Sequence, residues 1–336
     1  MLALDIKTEL WPLKEPFRIS GYVFTEAEII LVTLRRGGHV GMGEASGVYY
    51  RQETPQSMIA QIEAVRGILE AGVSRQALRE ILPAGGARNA LDCALWDLES
   101  KEQGIPAWQI ANLPAPRGLA TTCTVGADTP DEMAKRARAY TNVPRLKLKL
   151  TGEDDAPRLR AVRAARPDVW IGVDANQGYT RASLETLYPV LVETGVQLIE
   201  QPVRIGHEAE LDGFRSTIPI AADESVQNLS DVPRAIGRFD VVNIKLDKCG
   251  GLTEALMMAA QARKLGLKPM VGCMEGTSLS IAPGLLAGQM CDLVDLDGPI
   301  FLAKDRAPVA IYLNGTVSYG ATGWGSPEQS LQATGS

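Results

Sequence analysis

The spacing of apolar and polar positions changes character once along the chain. Over residues 1–116, "ALDIKTELWPL" and "EAEIILVTLRRGGHVGMGEAS" alternate as antiparallel strands do, with Gly37-Gly38 as a turn signal. "PQSMIAQIEAVRGILEAG" and "ARNALDCALWDLESKEQG" then carry apolar residues at helical spacing. Strands followed by helices predict an α+β unit. From residue 119 onward short β-type runs recur: "LATTCTVG" (119–126), "RLKLKL" (145–150), "VWIGVDAN" (169–176) and "VQLIEQP" (196–202). Four more follow, "IPIAADES" (218–225), "FDVVNIKL" (239–246), "KPMVGCM" (268–274) and "CDLVDLDG" (291–298). Helix-like segments such as "APRLRAVRAAR" and "GLTEALMMAAQARKLG" fill the gaps.

Eight strand–helix repeats of this length predict a (β/α)₈-type barrel. The competing open doubly wound sheet lacks its signal, since no GxGxxG follows the first strand. Asn314-Gly315, between "VAIYL" and "TVSYG", marks a hairpin after the barrel. The chain therefore divides into a capping unit (1–116), a barrel (117–300) and a segment (301–336) expected to return to the capping unit. Its last residues, "SPEQSLQATGS", are expected to form a mobile tail.

In "RLKLKL", Leu146, Leu148 and Leu150 alternate with Arg145, Lys147 and Lys149, so one strand face is leucine and the other cationic. The remaining polar residues also fall late in the strand runs, the end at which barrels of this kind carry chemistry. They are Asp174 and Asn176, Glu200, Asp223 and Glu224, Lys245, Glu275, and Asp295 with Asp297. A single Asp after an apolar run is more often a helix cap or turn former, and a Lys-x-Lys pair is as easily the wet face of an edge strand. Three acids on consecutive strands are harder to explain that way. Asp174, Glu200 and Asp223 would converge at the barrel mouth, where buried carboxylates repel unless a cation binds them. Oxygen ligands alone suit a hard divalent ion, most naturally one Mg²⁺.

Runs two and six lie across a barrel from each other, so Lys149 and Lys245 can approach opposite faces of a metal-held substrate. Neighbouring positive charge and desolvation are expected to lower their pKa values toward neutrality, allowing one lysine to take a proton and the other to return one. That is apparatus for inverting a carbon alpha to a carboxylate through a metal-stabilised enolate.

Composition removes other classes. Among 336 residues with a net charge of −6 there is no basic block, which argues against nucleic acid. No apolar run is long enough to span a membrane, and "MLALDIKTEL" lacks a signal-peptide layout. Five dispersed cysteines without CxxC spacing suggest reduced thiols in a cytoplasmic protein, Cys273 being the one near the chemistry. The two histidines, His39 in a turn and His207 in a loop, both read as solvent-exposed and are poor candidates for a base.

The ordered set "KLK", "VDAN", "EQP", "ADES" and "NIKLDKCGG", with "GEAS" and "ARNALDCALWDLESKEQGIPAW" before it, resembles the muconate-lactonizing subgroup of the enolase superfamily over nearly the whole chain. The resemblance implies a modified (β/α)₇β TIM-type barrel with an α+β capping domain. It also implies Mg²⁺ on Asp174, Glu200 and Asp223, with Lys149 and Lys245 as the acid/base pair. Lys147 would neutralise the substrate carboxylate and depress the pKa of Lys149.

Within that subgroup "DLDGP" (295–299) looks like the Asp-x-Asp motif of dipeptide epimerases. There the two carboxylates hold the substrate's α-ammonium, and period two puts Asp295 and Asp297 on one face. The implied enzyme is an isomerase that inverts the C-terminal residue of a dipeptide. It is expected to be a homo-oligomer whose partner is that small molecule, with no nucleic acid or membrane. Members acting on L-Ala-D/L-Glu carry a cap-loop arginine, at whose position the register places Tyr22. Arg51 could serve an acidic side chain, whereas Tyr22, Phe24, Tyr49 and Tyr50 would suit an apolar or aromatic one. Cys273, Met274 and Glu275, past run seven, are further substrate-binding candidates, with Glu275 suited to a basic or small polar N-terminal residue. The alternatives are N-acylamino-acid racemase, o-succinylbenzoate-synthase-type or cycloisomerase chemistry on the same lysines, and a non-catalytic binding protein.

Overall fold

The structure is a computed structural model that describes residues 2–320 and 323–327. Three antiparallel strands open the chain: β1 (Ala3–Ile19), β2 (Tyr22–Arg36) and β3 (His39–Ala45), in the order β1-β2-β3. β1 carries two prolines, which an edge strand tolerates because the missing N–H faces no ladder. Its register to β2 slips between Pro12 and Phe17. The helix Gly86–Gln103 packs on β3 and is buried along nearly its whole length. Gly41 and Gly43 permit that approach, for a Cβ at either would lie 2.2 Å from the carbonyl of Ala94 or Ala90.

Two short strands follow, β4 (Leu119–Ala120) and β5 (Cys123–Val125). The parallel sheet then runs from β5 through β6 (Arg145–Lys149), β7 (Trp170–Asp174), β8 (Val196–Glu200) and β9 (Ile220–Ala222). It continues through β10 (Val241–Lys245) and β11 (Lys268–Gly272) to β12 (Leu293–Asp295), with every neighbour sequential in the chain. Bonds from Thr122 N to the Val294 carbonyl (3.1 Å) and from Leu296 N to the Thr121 hydroxyl (2.9 Å) draw the two ends together into a nearly closed barrel.

Both faces of β6 are buried, as an interior barrel strand requires. Leu146, Leu148 and Leu150 join the main core, leaving the lysine face to the barrel interior. β6 pairs with β5 and β7, so it is no edge strand. Full helices do not fill every gap, however. After β8 and β9 the connections are 3₁₀ turns, Glu208–Leu211 and Leu229–Ala235. Gly206 and Gly213, both at positive φ, bracket the first, and Pro233 lies within the second, where its missing N–H disfavours a regular α-helix.

Beyond the barrel, the hairpin β13 (Ile311–Leu313) and β14 (Thr316–Ser318) turns at Asn314-Gly315 and pairs with β4. The chain then reaches the long cap helix, where Trp324 Nε1 donates to the Cys93 carbonyl (3.0 Å) and Gly325 N to Asp97 (2.8 Å). Of the stretch expected as a tail, Ser326 and Pro327 are described and residues 328–336 lie outside the described residues. No helix among the described residues is long and apolar enough to cross a membrane. His39 opens β3 with its ring half-buried rather than exposed, because the β2–β3 ladder holds its backbone; His207 is exposed beside Glu210.

Candidate active site

Three consecutive strands each end on one acid. Asp174 closes β7, Glu200 closes β8, and Asp223 follows β9 directly. Parallel register aligns Lys149 with Asp174, and Asp174 with Glu200, so the strand ends stand at one level. The three carboxylates are at most 1% exposed, and each has an oxygen within 4.8 Å of the others.

The lysines flank this group. Lys149 Nζ lies 2.6 Å from Asp174, and Lys245 Nζ lies 2.8 Å from Asp223, with Glu200 on the strand between. Lys147 Nζ sits among Asp174 (3.0 Å), Glu200 (2.8 Å) and Asp295 (2.7 Å), linking the acids to β12. Gly272 on β11 leaves room for Lys245: a Cβ there would meet the lysine Cε at 3.1 Å and Asn243 Oδ1 at 2.7 Å.

Asp295 accepts from the Thr122 hydroxyl, and Asp297 from Thr124 N at 2.6 Å. Burial, reinforced by the charge of Asp295, pushes Asp297 up to about 7. Its partner stays low, because Lys147 and Thr122 outweigh the cost of burying the Asp295 charge. The two acids of this pair therefore differ in how readily they take up a proton.

At Lys245 the charge balance among the protein's own groups runs opposite to the expected lowering. Burial pushes Lys147 and Lys245 down, but the carboxylates outweigh it. Asp174, Asp295 and Glu200 hold Lys147 well above the usual lysine range, and Asp223, Glu200 and Asp174 do the same for Lys245. Positive neighbours are fewer than negative ones around these ammonium groups.

Several contributors lie outside the residues singled out from sequence. Asn243 Nδ2 donates to Glu200 (2.8 Å) and holds that carboxylate's orientation. Lys248, with no exposed surface, donates to Asp223 Oδ1 (2.6 Å) and to the carbonyls of Val226 and Asn243 (2.9 Å each). Gln201 accepts from the amides of Asp223 and Ser225 (3.0 Å each), fixing the turn after β9. Asp247 accepts from Ser46 N (3.0 Å) and Gly47 N (3.3 Å), anchoring the cap loop that carries Tyr49 and Tyr50 to the end of β10. A fourth lysine, three positions after Lys245, is the one signal in the sequence that could have exposed part of this set.

The specificity candidates separate. Tyr22, at the β1–β2 turn, is 44% exposed and meets Tyr49 edge-on at 4.6 Å. Phe24 is half-buried and also edge-on to Tyr49, at 5.4 Å. The guanidinium of Arg51 is engaged by Gln227 and by the Ala84 (3.1 Å) and Lys248 (3.5 Å) carbonyls, which leaves it committed to the protein itself. Met274 and Glu275 border a cavity under the cap loop, while Cys273 packs toward Gly298, its thiol pushed far up by burial and by Asp297 and Asp295.

This geometry has relatives. Residues 1–111 match the mandelate racemase / muconate lactonizing enzyme N-terminal domain, and residues 131–293 the enolase C-terminal domain-like family. The chain belongs to the mandelate racemase / muconate lactonizing enzyme family of the enolase superfamily. It is 39% identical to the L-Ala-D/L-Glu epimerase of Escherichia coli K12, over 94% of this chain and 99% of that protein. Among solved structures, an enolase family member from Agrobacterium tumefaciens with homology to dipeptide epimerases, with bound sodium and L-Ala-L-Glu, superposes with a TM-score of 0.92. It is 41% identical and covers 95% of this chain and 98% of its own. The dipeptide epimerase of Methylococcus capsulatus, complexed with Mg and L-Arg-D-Lys, gives a TM-score of 0.87 at 32% identity, covering 95% of this chain and 96% of its own.

Proposed function

We propose that the protein is a Mg²⁺-dependent dipeptide epimerase that inverts the α-carbon of the C-terminal residue. One observation carries the reading: Lys149 and Lys245 contact opposite ends of one buried acid triad, while Lys147 ties that triad to Asp295. The names of its relatives, epimerases acting on dipeptides, support the same reaction.

Three buried carboxylates with oxygens within 4.8 Å and no imidazole or thiolate among them fit a hard divalent cation. Asp174, Glu200 and Asp223 would hold it. Bound there, Mg²⁺ would offset the negative charge that grows on the substrate carboxylate as the α-hydrogen leaves. Lys147, beside two of the acids, contributes a further positive charge on the same side. The substrate's ammonium would pair with Asp295 at the end of β12 and Asp297 just beyond it, so the backbone would be held at both ends with the α-carbon between the two lysines. Asp223, Glu200 and Asp174 keep Lys245 charged until their own charge is taken up. With Mg²⁺ held by those acids, one lysine would take the α-hydrogen from its face as a proton and the other would deliver a proton to the opposite face. For the reverse direction they exchange roles.

The free ammonium sets this reading apart from N-acylamino-acid racemisation, whose substrates bring no cation to Asp295 and Asp297. Pooled L,L-dipeptides in D₂O test it. Uptake of one deuterium at the α-carbon is expected, abolished by EDTA and restored by Mg²⁺. Absence of uptake from every dipeptide, with the metal present, would refute it.

A further inference from the structure

A cavity of about 300 Å³ lies under the cap loop, beside the centre just described. Its walls include Phe24 from the β1–β2 hairpin, Ser46 and Tyr49 from the cap loop, and Met274 and Glu275 beyond β11. Tyr49 joins it to the reaction centre: the residue is half-buried, and Glu224, Lys245, Asp223 and Asp174 all act on its hydroxyl electrostatically. The Ser46 hydroxyl donates to the Glu275 carbonyl, so the cap loop and the end of β11 close the cavity as one wall.

Two independent features describe what would fit. The first is aromatic. Phe24 and Tyr49 stand edge to face at 5.4 Å, with Tyr22 against Tyr49 at 4.6 Å, and such ring faces attract cations. The second is a half-buried carboxylate without a partner. Glu53 in the same wall is already engaged by Val48 N (2.9 Å) and Gly86 N (3.2 Å), whereas the Glu275 carboxylate makes no hydrogen bond or ion pair with any described residue. Apart from Tyr49, the titratable residues lining the cavity are glutamates, and lysine, arginine and histidine are absent from it. An anionic side chain would meet repulsion with no compensating cation. An apolar one would cover the rings but leave Glu275 half-desolvated and unpaired.

We propose that this cavity receives a cationic side chain of the dipeptide, lysine or arginine, held by the Glu275 carboxylate and the faces of Phe24 and Tyr49. The proposal rests on the dipeptide-epimerase reading and adds to it the class of substrate.

The Mg²⁺-loaded full-length enzyme tests it with L-Lys-L-Ala and L-Ala-L-Lys, their norleucine counterparts as neutral isosteres, their glutamate counterparts, and L-Ala-L-Ala. At least one lysine dipeptide should exceed its norleucine isostere in kcat/KM by about tenfold, with the glutamate dipeptide slowest. In Glu275→Gln, with folding verified by circular dichroism, that lysine-to-norleucine ratio should fall to near one. Glu275→Lys should reverse the order in favour of glutamate. Turnover of L-Ala-L-Ala with no lysine preference, or a preference unchanged in Glu275→Gln, would overturn the cationic assignment and leave the epimerase reading standing. Turnover of none of these dipeptides would overturn both.

Discussion

Lys149 and Lys245 grip the same group of acids from opposite sides. One Nζ lies 2.6 Å from Asp174 and the other 2.8 Å from Asp223, and the β8 acid Glu200 stands between them. On the proposed reading each lysine serves one face of a substrate held over that group. Lys149→Ala and Lys245→Ala are each expected to lower the epimerisation rate by roughly 10²- to 10⁴-fold, the usual worth of a positioned acid or base. Polarimetry on a purified L,L-dipeptide reads this, and near-normal turnover in either variant would contradict it.

The Asp295–Asp297 pair can be tested through the substrate's charge. Asp297→Asn should lower kcat/KM on free dipeptides by roughly 10- to 100-fold through the loss of a charge-assisted contact. The same change should leave N-acetylated dipeptides, slow in both enzymes, almost unaffected. Equal losses on both substrate classes would detach Asp297 from the ammonium.

Asn243 touches a metal-site acid without being one. Its bond to Glu200 orients that carboxylate, and residues in this relation commonly change metal affinity about 10- to 100-fold. Asn243→Ala is expected to weaken Mg²⁺ binding by that factor in calorimetry, with the fold intact by circular dichroism. Unchanged affinity would show that the bond serves packing alone.

Asp92 provides a pH signature at the junction of cap and barrel. It is buried on the long cap helix, accepts from Thr253 N (2.9 Å) and from the Thr253 hydroxyl, and lies within the fields of Arg75 and Arg88. Burial outweighs all of these and raises it from 3.8 to about 6. A carboxyl raised on folding favours the folded state while protonated. Stability from this group is therefore present below about pH 4 and lost as pH rises to about 6. At 1.36 kcal/mol per pH unit the loss is on the order of 3 kcal/mol. Asp92→Asn should remove that component from a urea-unfolding series across pH 4 to 6.5, and an unchanged slope would assign it elsewhere.

The barrel and its chemistry were legible wherever the signal is local. Strand runs announce themselves by period. Asp174, Glu200, Asp223, Lys149 and Lys245 stand out because each charge ends an apolar run. What stayed hidden depends on partners far along the chain. Asn243 acts on an acid 43 residues away, and Thr122 and Thr124 act on acids 173 residues away. Arg51 looked available for a substrate because nothing local shows that Gln227 and two carbonyls already occupy it. The direction at Lys245 escapes the sequence for a related reason: it depends on the sum of charges around a buried ammonium, which spacing alone does not provide. The 3₁₀ connections after β8 and β9 are not legible in the repeat, because Gly206, Gly213 and Pro233 shorten those segments without changing the strand spacing.

The most direct test of two lysines working on opposite faces is the isotope content of the first product formed by the unmodified enzyme in D₂O. An L,L-dipeptide converted to its L,D epimer should carry one deuterium at the inverted carbon from the earliest time point, because the lysine that delivers it has exchanged with solvent. Product that retains the substrate's own hydrogen would mean that a single group carries the proton across, and the two-lysine account would be wrong.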